Sequence, residues 1–128
     1  MRDQSEERDP LTHSVIGAAL EVHREMGPGL LESVYQKCLV RELTRQGIAC
    51  QPQARLPLMY KGEVLDDEFV MDVLFPGRLV VELKAVEKLL PIHEAQLLTY
   101  LRLSKHHVGL LINFNVPLLK DGLKRMVL

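Results

Sequence analysis

Three residues, Pro76-Gly77-Arg78, are all that separates two strand-like runs, residues 64–75 and 79–86. So short a connection can only join antiparallel neighbours, because parallel strands need a crossover of about a dozen residues or more. A turn centred on Gly77 sets Asp72 opposite Glu82, and a slip of one residue would send every side chain to the wrong face. Within the second run, Glu82 and Lys84 lie two residues apart and share one face, while Val81, Leu83 and Ala85 point to the other.

In that register the Asp72 and Glu82 Cβ atoms lie roughly 5 Å apart, and two like charges so placed are unfavourable on their own. Lys84 can offset part of the repulsion. A divalent cation taking oxygens from both carboxylates does so better, since Mg²⁺ favours one or two protein carboxylates with water and phosphate ligands. Such an ion lowers the pKa of a bound water, and Lys84 can then orient that water or offset charge on a phosphodiester. An isolated E-x-K more often marks a solvated strand face. The apolar run around this one suits a central strand, where Glu and Lys are costly unless they line a cleft.

The remaining pattern supplies the frame. Residues 54–60 form a third strand, joined by Lys61-Gly62-Glu63, which makes an antiparallel meander. Upstream, apolar residues recur at helical spacing from Leu11 to Met26, where Gly27-Pro28-Gly29 stops them, and again over residues 30–46. Downstream, residues 91–104 read as a helix, 108–114 as an apolar strand and 117–127 as a closing amphipathic helix. The predicted α/β order is α-α-β-β-β-α-β-α, without internal repeats. Residues 1–9 are polar and aperiodic, which predicts a flexible tail before a single domain at residues 10–128. With 47% hydrophobic residues in 128, the chain can build a core.

A net charge of -1 means that any nucleic-acid contact must come from a local patch, for which Lys88, Arg102, Lys105, Lys120, Lys124 and Arg125 are the candidates. No apolar run reaches the ~18 residues of a membrane span, and the first ten residues lack the apolar centre of a signal peptide, so a cytoplasmic location is expected. Cys38 and Cys50 have no C-x-x-C spacing and read as packed thiols. His23 reads as a hydrogen-bonded core histidine, His93 as a candidate cleft residue, and no histidine has zinc-site spacing. Gly-rich phosphate loops and G-x-S-x-G elbows are absent from the sequence.

Asp72 followed by Glu82-Leu83-Lys84 resembles the D…(D/E)-x-K signature of the PD-(D/E)XK nuclease superfamily, whose core order is α-β-β-β-α-β. Upstream, Gly29-Leu30-Leu31-Glu32-Ser33-Val34-Tyr35 is similar to the G-x-x-E-x-x-Y motif of the GxxExxY family within it. The resemblance spans nearly all of residues 11–127 and implies a restriction-endonuclease-like core, a mixed central sheet flanked by helices. It implies Glu32, Asp72 and Glu82 as metal ligands, Lys84 as the catalytic lysine and Gln96 as the helix residue beside the site. Met71 stands where the superfamily name has proline, at a position without metal contact. The implied activity is Mg²⁺-dependent hydrolysis of nucleic acid, DNA ahead of RNA, with Mn²⁺ as a substitute and a homodimer compatible with it. The alternative is a non-catalytic nucleic-acid-binding or homodimeric assembly module on the same fold.

Overall fold

Asp9 caps the first helix. Its carboxylate accepts the Leu11 N–H at 3.2 Å and the Thr12 hydroxyl, and Pro10 occupies the first helical position, where no N–H is needed. The computed structural model describes residues 9–128. Of the tail expected at residues 1–9, residues 1–8 lie outside the described residues, and Asp9 belongs to the helix cap.

Helix α1 (Pro10–Met26) buries Leu11, Val15, Ala18, Ala19 and Val22, and α2 (Glu32–Arg45) buries Tyr35, Leu39 and Leu43, each set at helical spacing. Then come β1 (Gln51–Tyr60), β2 (Glu63–Phe75), β3 (Leu79–Lys84), α3 (Pro91–Ser104) and β4 (Val108–Asn113). This order agrees with the sequence reading as far as β4. The five-stranded sheet runs β1-β2-β3-β4-β5, where β5 is Leu123–Val127, with β3 and β4 parallel and all other neighbours antiparallel, so the sheet is mixed.

Strand alternation sorts the core into two layers. Val81 and Leu83 of β3 meet α1 and α2 on one face, together with Val73, Phe75, Leu110 and Ile112. On the other face Val80 joins Leu74, Leu111 and the α3 residues Leu97, Tyr100 and Leu101. Glu82 and Lys84, in step with Val80, therefore lie on the α3 side. The β2–β3 register pairs Val73 with Val81, Leu74 with Val80 and Phe75 with Leu79, as a turn centred on Gly77 requires. Gly77 has φ 74°, a left-handed conformation open to glycine at little cost, and its N–H donates to His106 Nε2 at 3.0 Å.

Beyond β4 the chain departs from expectation. Residues 117–127 form a short 3-10 turn, Leu119–Gly122, and an edge strand β5 (Leu123–Val127) antiparallel to β4, where a helix was predicted. The spacing of Leu119, Leu123 and Val127 imitates a helix. In fact Leu123 packs on the α1/α2 side and Met126 on the α3 side, the alternation of a strand. Gly122 is the reason for the tight entry: a Cβ there would stand 2.1 Å from the Asn113 carbonyl oxygen. Among the described residues no helix is long and apolar enough to cross a membrane.

Replacing Gly122 by Ala is expected to lower unfolding stability by about 2 kcal/mol, because the backbone carbonyl it meets cannot swing aside. Gly17→Ala, in the exposed middle of α1 with open space around it, should instead raise stability by about 1 kcal/mol. Urea unfolding of the two variants checks both signs.

Candidate active site

Strands β2 and β3 stop pairing after Val73 and Val81. At the next position on each, Asp72 and Glu82 face one another, and their side chains bridge the two strands where the ladder ends. The Asp72 N–H donates to Glu82 Oε1 at 3.1 Å, and the Leu83 N–H donates to Asp72 Oδ2 at 2.8 Å. The bonds are reciprocal: each carboxyl holds the opposite strand with one oxygen. From α2, Gln36 Nε2 donates to the Asp72 carbonyl at 3.2 Å, so both backbone polar groups of Asp72 are served by side chains.

Lys84, two residues beyond Glu82, donates from Nζ to Gln96 Oε1 at 2.9 Å. Gln96 Nε2 in turn donates to the Tyr100 hydroxyl at 3.1 Å, which fixes the direction of the amide, and the Tyr100 ring packs on Phe69 at 4.7 Å. The end of β3 is also held from β4. Phe114 N–H donates to the Lys84 carbonyl at 2.9 Å, and the buried Asn113 amide pairs with both Val86 N–H and Val86 carbonyl, at 3.0 and 2.9 Å. A side chain here extends the β3–β4 pairing past the last strand residue.

Glu32 is the first residue of α2, where an acid is favourable at the positive end of the helix dipole. The loop before it is fixed by Tyr35, whose hydroxyl accepts from Leu30 N–H at 3.2 Å and donates to the Gly27 carbonyl. The Tyr35 ring is wholly buried and stacks on Phe114 at 4.5 Å, so it is an interior aromatic. Glu32 lies within electrostatic reach of Asp72 and Lys84.

Burial dominates the electrostatics. Glu82, 3% exposed, is pushed up to about 9 by desolvation first and by Asp72 second. Asp72 is also raised, chiefly by burial, against the opposing pull of the Leu83 N–H, Glu82 and Lys84. Glu32 rises through burial and the nearby Asp72 charge. Lys84 lowers all three, yet one ammonium does not outweigh three partly desolvated carboxyls. Near neutral pH the Asp72–Glu82 pair therefore shares a proton.

The structure brings Asp72, Glu82, Lys84 and Gln96 together, with Glu32 within electrostatic reach of Asp72 and Lys84 but apart from the pair. Other candidates fall elsewhere. His23 hydrogen-bonds the Val116 carbonyl at 2.7 Å, and His93 Nδ1 accepts the Leu90 N–H at the start of α3. Lys124 forms an ion pair with Glu94 of α3 at 2.7 Å, and Lys88 borders a cavity of about 450 Å³ with Val86, Glu87, Leu90 and His93. Gln36 and Asn113 escaped the sequence reading because neither carries charge. The available hints were the position of Gln36 one turn after Glu32 and the polar Asn113 closing an apolar strand.

A mixed sheet with helices on both faces, and a carboxyl pair and lysine where two of its strands part, defines an α/β domain built around a buried acidic centre. The family model of the PD-(D/E)XK nuclease superfamily matches residues 9–126, and the chain belongs to that superfamily. No curated protein and no solved structure matches the chain.

Nucleases of this superfamily generally use divalent metals. The residues present suit such an ion: hard oxygens, desolvated and mutually repelling, with a shared proton where a cation would relieve the repulsion. Among the described residues no three acidic, His or Cys side chains already converge into one cluster, so Glu32 stands apart from the pair.

An acid raised on folding contributes most to stability below its unfolded value, here 4.5, and loses that contribution as pH climbs toward about 9. The raised Asp72 and Glu32 act in the same sense. Glu82→Gln is therefore expected to exceed the parent in stability at pH 8 and to differ little from it at pH 4. Urea unfolding at the two pH values decides this, and an equal difference at both would contradict it.

Proposed function

We propose that this domain hydrolyses phosphodiester bonds of nucleic acid, DNA ahead of RNA, with Mg²⁺, or Mn²⁺ in its place, held by Asp72 and Glu82. The observation that carries the proposal is the buried Asp72–Glu82 pair beside Lys84 at the parting of β2 and β3. When bound, the cation supplies Lewis acidity at the phosphodiester and makes water a usable nucleophile near neutral pH.

The protein's own groups do the positioning. Asp72 and Glu82 are each anchored through one oxygen to the facing strand, which leaves each a second oxygen for the cation and little freedom to lose on binding it. Glu32 approaches the pair from α2. Lys84, directed by Gln96 Oε1, presents N–H donors where charge develops on phosphate oxygens or on the attacking water. Gln96 positions Lys84, and Tyr100 positions Gln96.

We place the chain in the GxxExxY group of the superfamily on Gly29, Glu32 and Tyr35, each with a local role. Gly29 takes φ 97° in the loop, Tyr35 anchors that loop, and Glu32 begins the helix it leads into.

The test is cleavage of single- and double-stranded DNA and RNA with Mg²⁺ or Mn²⁺, beside calorimetric titration with Mn²⁺. Asp72→Ala should lose both cation binding and cleavage. Lys84→Ala should retain cation binding and lose about 100-fold in turnover. Wild-type protein that neither binds Mn²⁺ nor cuts any substrate would overturn the proposal in favour of a binding or assembly module that keeps the fold.

A further inference from the structure

We infer that Gln36 is a positioning residue that holds open the fork between β2 and β3 and fixes Asp72 relative to Glu32; this rests on the nuclease reading of the same site. Gln36 follows Glu32 by one helical turn, on the same side of α2, and is half-buried. Its Nε2 reaches the Asp72 carbonyl at 3.2 Å, and only the nitrogen end of the amide can serve a carbonyl.

The bond has two consequences. First, α2 otherwise meets the sheet through Tyr35, Leu39 and Leu43, whose apolar contacts are non-directional and tolerate small slides. A hydrogen bond to the residue that carries the Asp72 carboxyl is directional, so it sets the register of α2, and with it Glu32, against β2. Second, β2 has left the β3 ladder at this point, so the Asp72 carbonyl is not held by a β3 ladder bond. If Gln36 released it, the peptide would be free to turn toward water. That turn would rotate the Asp72–Val73 peptide about the Cα that carries the Asp72 carboxyl and so misplace the carboxyl on the same residue. Gln36 thus acts through Asp72, as an outer group that orients a ligand.

The test compares Gln36→Met, which keeps the length and removes the N–H, with Gln36→His, whose Nε2–H can take the place of the amide. Mn²⁺ titration, kcat and KM on DNA, and urea unfolding are measured for both and for wild type. Gln36→Met should weaken Mn²⁺ binding and lower kcat by about tenfold each, with KM and the urea midpoint unchanged, and Gln36→His should recover most of both. A lower urea midpoint with unchanged Mn²⁺ affinity and kcat would show a merely structural bond and overturn the inference. Active wild type with an indifferent Gln36→Met overturns the positioning role alone. Wild type that neither binds nor cuts overturns it together with the reading beneath it.

Discussion

The exchange of bonds between Asp72 and Glu82 is the constraint on which the site depends. A sheet that parts two strands in its interior leaves backbone donors without partners, and a buried unpaired N–H is costly. Here the acids themselves serve those donors, the Asp72 N–H going to Glu82 and the Leu83 N–H to Asp72. The opening in the sheet and the chemistry within it are thus the same structural event. Neither carboxyl could be removed without also leaving a strand end unsatisfied.

Around this centre the polar support is layered. Gln36 and Asn113 hold backbone, at Asp72 and Val86, while Gln96 and Tyr100 hold the lysine side chain. Each support comes from a different element, α2, β4 and α3, so all three layers of the fold converge on the ends of two strands. The apolar layers made by Val81 and Leu83 on one side and Val80 and Leu97 on the other fix those ends and with them the geometry of the site.

Much of this was legible in the chain because its strongest signals are local. A three-residue turn with glycine at its centre dictates a register, and the register alone brings Asp72 to Glu82. Glu32 and Gln96 lie on helices far away in sequence, and only the family motif pointed to them; no local rule says which helix face meets a strand end. Gln36 and Asn113 were illegible for a related reason, since a neutral amide acquires its meaning from the backbone group opposite it. The closing segment was misread because Leu119, Leu123 and Val127 repeat every four residues. The Asp121-Gly122 pair was the better signal, since glycine there allows two backbone segments to touch.

The two turns of the β meander have opposite tolerances. Pro76-Gly77-Arg78 lies one strand-length from the acids, so adding or deleting a single residue there would carry Glu82 to the α1/α2 side and put Val81 or Leu83 in its place on the α3 side. The outer turn at Lys61-Gly62 ends a two-stranded ribbon whose residues 63–68 are exposed and which β3 does not accompany. Residues added there would extend the exposed end of the ribbon. In a lineage of such chains, insertions and deletions would accumulate in the outer turn, whereas the inner one would vary in composition while keeping its length.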